Sequence, residues 1–449
     1  MVRNIKVAAA VAAVLASGSA LATQPTPASA AAPNVSVYIA GSSAAKNAVL
    51  GALETNICSG SFSLFSSSGD TNFFAVSCTP TATALPNTSA NGTNIFTIWY
   101  RDEGGSVTGA LPLVSGAQIN QLALAGATGS AGAYTVAVAG SSGTNGIDDS
   151  FASGVSKQSV QFGITDVEPS ALIGDNYPSA YKSSVYGKAT PAQLGALSAT
   201  TLFDQVFGIF VNTNSSAFSS AEKAGQGTAN GTLNLPAQTI TNILQGASVN
   251  WDDVPDTNGN AVTSTSLPIV IVNREQGSGS RTATSIFFTQ DECNKAATSI
   301  AESTGGTADF FSTGNVLAAA NGIPGSITYA SIDNAGSTSF PNLTLVQVNG
   351  VTPSQLAAAA GEYGDWFEAT GVTGANFGSL SADQQAVISF LISAFQTQAS
   401  APNTADILAI PGNSTNNAAL PVSGTLANKI YVNPFSRGGV SCNTPGSFL

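Results

Sequence analysis

Apolar and polar residues alternate along Val35-Ser36-Val37-Tyr38-Ile39-Ala40, the period-two pattern of a strand with one face in a core. Gly41-Ser42-Ser43 breaks the alternation, and Ala44-Ala45-Lys46-Asn47-Ala48-Val49-Leu50 follows with helical composition, so the segment predicts a strand, a tight turn and a helix. Runs rich in β-branched and aromatic residues recur at Ile95 to Tyr100, Val160 to Asp166, Phe207 to Asn212, Leu267 to Val272 and Gly325 to Ala330. A polar or glycine-bearing turn closes most of them. Gln238 to Gln245 carries helical spacing and stops at Gly246, and Val387, Ile388, Leu391, Ile392 and Phe395 form a packing stripe on a helix within Ser381 to Gln398. Strands alternating with helices predict an α/β fold built on open sheets, with ligands taken in the crevice at the strand ends. The Gly/Ser/Thr/Asn stretches at 126–158 and 213–233 show no repeat period and predict long surface loops.

The beginning of the chain follows another logic. Arg3 and Lys6 precede an apolar run from Val7 to Leu15, and the small-residue sites Ala20-Leu21-Ala22 and Ala28-Ser29-Ala30 follow, so residues 1–30 read as a secretory signal cleaved after Ala22 or Ala30. The apolar run falls short of the roughly 20 residues a membrane span needs. No cysteine stands beside either site for a lipid anchor, and a periplasmic or secreted location is expected. Cys58, Cys78, Cys293 and Cys442 fit no metal spacing; two disulfides are expected, Cys58 with Cys78 and Cys293 with Cys442 in one of three connectivities.

Composition then removes function classes. The 449 residues contain no histidine, which excludes a Ser-His-Asp triad, a Cys-His nucleophile and a His-ligated zinc. Only 8% of residues are charged and the net charge is −12, which opposes nucleic acid and anionic membrane as partners. An apolar content of 43% argues against disorder. No cofactor motif is present.

The most informative segment is Leu267-Pro268-Ile269-Val270-Ile271-Val272-Asn273-Arg274-Glu275-Gln276-Gly277-Ser278-Gly279-Ser280-Arg281-Thr282. A strand ends, an arginine stands at its exit, and Gly-Ser-Gly-Ser opens a helix whose first amides lack partners, a cradle for an oxyanion. Ser42 and Ser43 stand in a second such turn, and Asp166 ends a strand. A carboxylate repels a bound anion unless that anion brings a proton, so Asp166 in such a site selects hydrogen phosphate over sulfate. The competing readings of Asp166 are an ion-pair partner for Arg274 or a cap for a helix from Ser170 onward.

In this order the motifs resemble those of the phosphate-binding proteins of bacterial ABC uptake systems, in the periplasmic binding protein superfamily. Ala40-Gly41-Ser42-Ser43-Ala44-Ala45 is similar to the family's first anion loop, and Phe162-Gly163-Ile164-Thr165-Asp166 to its Phe-Gly-x-Ser-Asp strand end. Ile243-Leu244-Gln245-Gly246 with Trp251-Asp252-Asp253, Arg274-Glu275-Gln276-Gly277-Ser278-Gly279-Ser280 and Pro324-Gly325-Ser326-Ile327-Thr328-Tyr329 resemble three further family segments.

The resemblance implies a two-lobed, type II α/β fold, each lobe an open mixed sheet flanked by helices, with a ligand cleft between. Residues 31–205 plus 335–449 would form the first lobe and 206–334 the second, joined by hinge strands near Val206-Phe207-Gly208 and after Tyr329. It also implies a phosphate site of Ser42, Ser43, Ala45, Ser106, Asp166, Arg274, Ser278, Gly279 and Ser280, with Asp166 accepting the ligand's proton and Arg274 holding its charge. Ser106 stands within a residue of the family's serine in the second turn. Ala45-Lys46 replaces a Thr-Phe pair, so Ser42 or Ser43 must supply the lost hydroxyl, while Lys46 either adds charge or projects to solvent.

The expected function is therefore a monomeric, non-enzymatic receptor for inorganic phosphate or a related oxyanion, delivering it to an ABC permease at the inner membrane. The Ala45-Lys46 departure and the unmatched segment from Ile410 to Gly439 motivate an alternative, a secreted adhesin or matrix protein with an altered cleft. Phosphate-ester hydrolysis is a third reading, with Ser278 and Asp166 as its groups and Asp252-Asp253 as its metal pair, and the lack of a histidine and of clustered metal carboxylates counts against it.

Overall fold

The computed structural model describes residues 24–58, 61–80, 94–140, 150–177, 185–290, 299–396, 406–408, 410 and 432–447. One mixed sheet of 13 strands organises them. Its strands are β1 (Val35–Gly41), β2 (Phe62–Ser68), β3 (Phe73–Cys78), β4 (Phe96–Arg101), β5 (Thr128–Ser130), β6 (Ala133–Ala137), β7 (Phe162–Thr165), β8 (Ser198–Asn212), β9 (Val270–Ile271), β10 (Ser326–Ser331), β11 (Leu343–Leu345), β12 (Trp366–Thr373) and β13 (Ile407–Leu408). The order is β9-β10-β8-β12-β7-β1-β4-β3-β2-β6-β5, with β11 and β13 also paired to β8.

β1 pairs in parallel with both β4 and β7, so the turns that leave these three strands emerge at one edge of the sheet. Every residue of β4 and β7 is buried, as expected of strands covered on both faces. That edge is where an open α/β sheet offers a ligand crevice.

The 15-residue β8 links two cores. Ser198 to Val206 pair with β12, and Phe207 to Asn212 pair with β10 and β11, so the strand exchanges partners between Val206 and Phe207. Around the first part lie Val37, Ile39, Ile98, Phe203, Leu391 and Phe395. Around the second lie Ile209, Val211, Trp251, Val272, Tyr329 and Leu345. Leu343, Leu345, Val346, Val348 and Tyr363 pack in this second core, whereas the sequence expectation returned the chain to the first lobe at 335. β11 explains the difference, because its pairing to Phe210, Val211 and Asn212 carries the stretch along. Ala44, Val107, Phe207, Ala283, Ile286 and Phe311 form a further apolar cluster where the two parts meet.

The expected helix stripe forms on Ala382–Gln396, burying Val387, Ile388, Leu391 and Phe395. The helix at Ala237–Leu244 ends beside Gly246, whose φ of 74° is the left-handed stop that glycine tolerates. Trp251 is buried and donates its indole N–H to Gly325 O at 2.8 Å, so Trp251-Asp252-Asp253 serves packing. The expected loop at 126–158 contains β5, β6 and a strand at Val155–Ser159. β5 and Val155–Ser159 are mostly polar and carry little apolar alternation to read, whereas β6 alternates, with Tyr134 half-buried and Val136 buried on either side of exposed Thr135.

Cys58 and Cys78 are joined, tying the end of the helical segment that follows β1 to the end of β3. Cys442 is disulfide-bonded, and Cys293 lies outside the described residues. Among the described residues no helix is long and apolar enough to cross a membrane.

Candidate functional site

The turn after β1 is fixed by main-chain geometry before its side chains matter. Ser42 N–H donates to Ile164 O at 2.8 Å and Tyr100 Oη donates to Ser42 O at 2.6 Å, which presses the turn against β7 and β4. Ala45 N–H donates to Ser42 Oγ at 3.0 Å, and the Ser42 hydroxyl donates in turn to Asp166 Oδ1. Asp166 N–H donates to Ser106 Oγ at 2.9 Å. Ser42, Ser106 and Asp166 therefore meet at the edge where β1, β4 and β7 end, and all three are buried.

The cradle segment closes on this group from the second core. Val107 N–H donates to Gly277 O at 3.0 Å. A Cβ on Gly279 would stand 2.1 Å from Ser106 Oγ and 2.7 Å from Asp166 Cβ, so the approach of the two segments requires glycine there. Ser278 caps the short helix Gly279–Thr284 by accepting from Arg281 N–H at 3.3 Å, and its hydroxyl lies 3.1 Å from Ser280 Oγ.

Arg274 is 1% exposed, and its guanidinium is hydrogen-bonded all round. Nε donates to Phe310 O at 3.2 Å, Nη1 to Ser280 Oγ and Thr313 Oγ1 at 3.0 Å each, and Nη2 to Phe311 O at 2.7 Å and Ser43 Oγ at 3.4 Å. Burial draws its pKa down, and the charges of Tyr329, Asp166 and Asp102 oppose that. Burial raises the Asp166 pKa against the opposing pull of the Ser42 hydroxyl, the Arg274 charge and bonds from Ser106 and Ser280.

All nine expected positions thus fall in one neighbourhood. Ser42, Ser43, Ser106, Asp166, Arg274, Ser278 and Ser280 bring polar side chains to it, Gly279 gives it room, and Ala45 contributes through its amide to Ser42. Two hydroxyls stand in the turn before Ala45, Ser42 on Asp166 and Ser43 on Arg274. Asp166 takes its direct contact from Ser42 and caps no helix; Glu168 is the residue that precedes the helical turn Pro169–Ala171.

Two features escaped sequence reasoning. Lys46 neither reaches the site nor projects freely, because Nζ pairs with buried Asp102 Oδ2 at 3.0 Å and donates to Thr71 O. Burial raises the Asp102 pKa against this pairing. Thr313 lies on the guanidinium, and its only sequence signal was Ser312-Thr313-Gly314 ahead of an apolar helix, a common cap pattern.

An arginine, five serine hydroxyls and one carboxylate stand together where two cores meet, the set of donors and acceptor that a protonated oxyanion would need. Among the described residues no group of three His, Cys, Asp or Glu side chains could hold a metal ion.

No protein-family model matches the chain, and no curated protein matches it. Solved structures do. A protein described as a phosphate ABC transporter substrate-binding protein with bound phosphate, from Clostridium perfringens, is similar at 16% identity over 79% of this chain and 92% of that one, with a TM-score of 0.43. An ABC-type phosphate transport receptor from Vibrio cholerae is similar at 14% identity over 79% of this chain and 93% of that one, with a TM-score of 0.38. A phosphate-binding protein from Stenotrophomonas maltophilia is similar at 15% identity over 81% of this chain and 83% of that one, with a TM-score of 0.37.

Proposed function

We propose that this chain is an extracytoplasmic receptor that captures inorganic phosphate between its two lobes and hands it to an ABC permease. The observation that carries the reading is the burial of Asp166 and Arg274 in one hydroxyl-lined cluster, at 2% and 1% exposure. A buried guanidinium supplies charge, the serine hydroxyls adapt as donors, and the carboxylate demands a proton from whatever lies beside it. Hydrogen phosphate meets all three conditions. Sulfate carries no proton near neutral pH and would leave an oxygen facing the carboxylate.

Isothermal titration of phosphate and sulfate into ligand-stripped protein tests this. The wild type is expected to bind phosphate and reject sulfate, and Asp166→Asn, which offers an N–H in place of a second acceptor, is expected to narrow that preference at least roughly tenfold. A wild type that binds neither anion would end the receptor reading.

An extracytoplasmic receptor loses its export signal, and the fold bears on where. Residues 27–31 form a short helix capped by Thr26, Ala30 is fully buried, Thr97 Oγ1 donates to Ala30 O at 3.0 Å and Ser63 Oγ donates to Pro25 O at 2.6 Å. Cleavage after Ala30 would strip these contacts from β2 and β4. Cleavage after Ala22 leaves them intact, so N-terminal sequencing of exported protein is expected to begin at Thr23, and a start at Ala31 would refute this.

A further inference from the structure

Three of the oxygens that accept from Arg274 are hydroxyls and two are main-chain carbonyls. The difference matters for an incoming anion. A carbonyl can only accept, so Phe310 O and Phe311 O remain structural partners of the guanidinium. A hydroxyl can turn from accepting to donating, so Ser43, Ser280 and Thr313 can release the N–H groups of Nη1 and Nη2 and direct their own protons to the anion that replaces them. Ser43 and Ser280 belong to the anion motifs. Thr313 does not.

Its position fits the same task. Thr313 is buried, at 5% exposure, and opens the ten-residue helix Thr313–Gly322, which Ser312 caps. Its Oγ1 is 3.0 Å from Arg274 Nη1 and 3.1 Å from Ser43 Oγ, and its own N–H donates to Ser43 Oγ at 3.2 Å. Ser43 follows β1, whereas Thr313 leads a helix packed on β10 through Val316, Leu317 and Ala320, so the contact spans the two cores.

Resting on the receptor reading above, we propose that Thr313 is a further anion-contacting residue, completing with Ser43 and Ser280 a set of hydroxyls that exchange Arg274 for the bound oxyanion. Thr313→Val keeps the shape and removes the hydroxyl, and Thr313→Ser keeps the hydroxyl. Titrating inorganic phosphate into the full exported chain, the valine variant is expected to bind roughly ten- to a hundredfold more weakly, and the serine variant within about threefold of wild type. A phosphate-loaded crystal structure separates contact from mere support of the arginine, since Thr313 Oγ1 should lie within hydrogen-bonding distance of a phosphate oxygen. If the wild type binds and Thr313→Val binds equally well, or if Oγ1 stays on Arg274 and away from the anion, the inference fails alone. If the wild type takes no phosphate, the receptor reading and this inference fall together.

Discussion

Replacing Arg274 with lysine is expected to weaken phosphate binding by roughly two orders of magnitude or more, although the positive charge is kept. An ammonium carries three donors on a flexible stem, whereas the guanidinium holds five N–H groups in one plane. Here that plane is anchored on its inner side by Phe310 O and Phe311 O and presents its remaining edge to Ser43, Ser280 and Thr313. A lysine long enough to reach the anion gives up the carbonyls, and one that satisfies the carbonyls turns from the anion. Isothermal titration reads the affinity. Circular dichroism and thermal unfolding of the ligand-free variant show whether the fold survives. An affinity within threefold of wild type, in a folded variant, would remove Arg274 from the site.

The residues of the candidate site could be picked out in the sequence because they stand at strand ends, and strand ends can be read from apolar runs that stop. Asp166 closes β7, Ser42 and Ser43 leave β1, and Arg274 follows the short β9, so each was marked by its own segment. Parallel pairing of β1 with β7 then brought the turns that follow these two strands to one edge, and the turn after β9 meets them from the second core, a consequence of topology that no single segment carries. Thr313 could not be read in this way. Its role depends on distance to a guanidinium 39 positions earlier, while its local pattern is that of any capped helix. Lys46 was misjudged for the same reason, since Asp102 lies across β1 and β4 and nothing in either segment announces the pair. At residues 24–31 the small residues that suggest a cleavage site also suit a short helix that buries Ala30, and composition alone does not separate the two.

Least legible was the C-terminal segment, and the largest effect on stability is expected there. Arg437 is buried, donates to the carbonyls of Trp366, Ser441, Asn443 and Gly364, and lies over the Phe367 ring at 4.4 Å. Around it stand four buried carboxylates. Glu368 accepts from the Arg437 and Gly439 main chain, Glu168 from Ser441, and Asp204 from Asn433 Nδ2 at 2.8 Å. Neither oxygen of Asp365 has a hydrogen-bond donor among the described residues, and burial lifts its pKa to about 7 against the pull of Arg437. Burial also raises the Asp204 and Glu168 carboxyls.

Arg437→Ala leaves these groups without the guanidinium and is expected to cost roughly 3–5 kcal/mol, read as a shift in the denaturant midpoint. A carboxyl whose folded pKa is raised binds its proton more tightly in the native state. Its contribution to stability is full below the unfolded value near 4 and is lost as pH rises to the folded value, about 7 for Asp365. The deficit of Arg437→Ala should therefore be larger at pH 8 than at pH 5. Adding Asp365→Asn should recover part of it and remove up to about 1.4 kcal/mol per pH unit of slope between those limits. A deficit that is the same at both pH values and untouched by Asp365→Asn would mean that Arg437 acts only through its carbonyl bonds and ring contacts. Glu168 stands two residues beyond Asp166, so a midpoint shift accompanied by weaker phosphate binding would tie the C-terminal segment to the site through that turn.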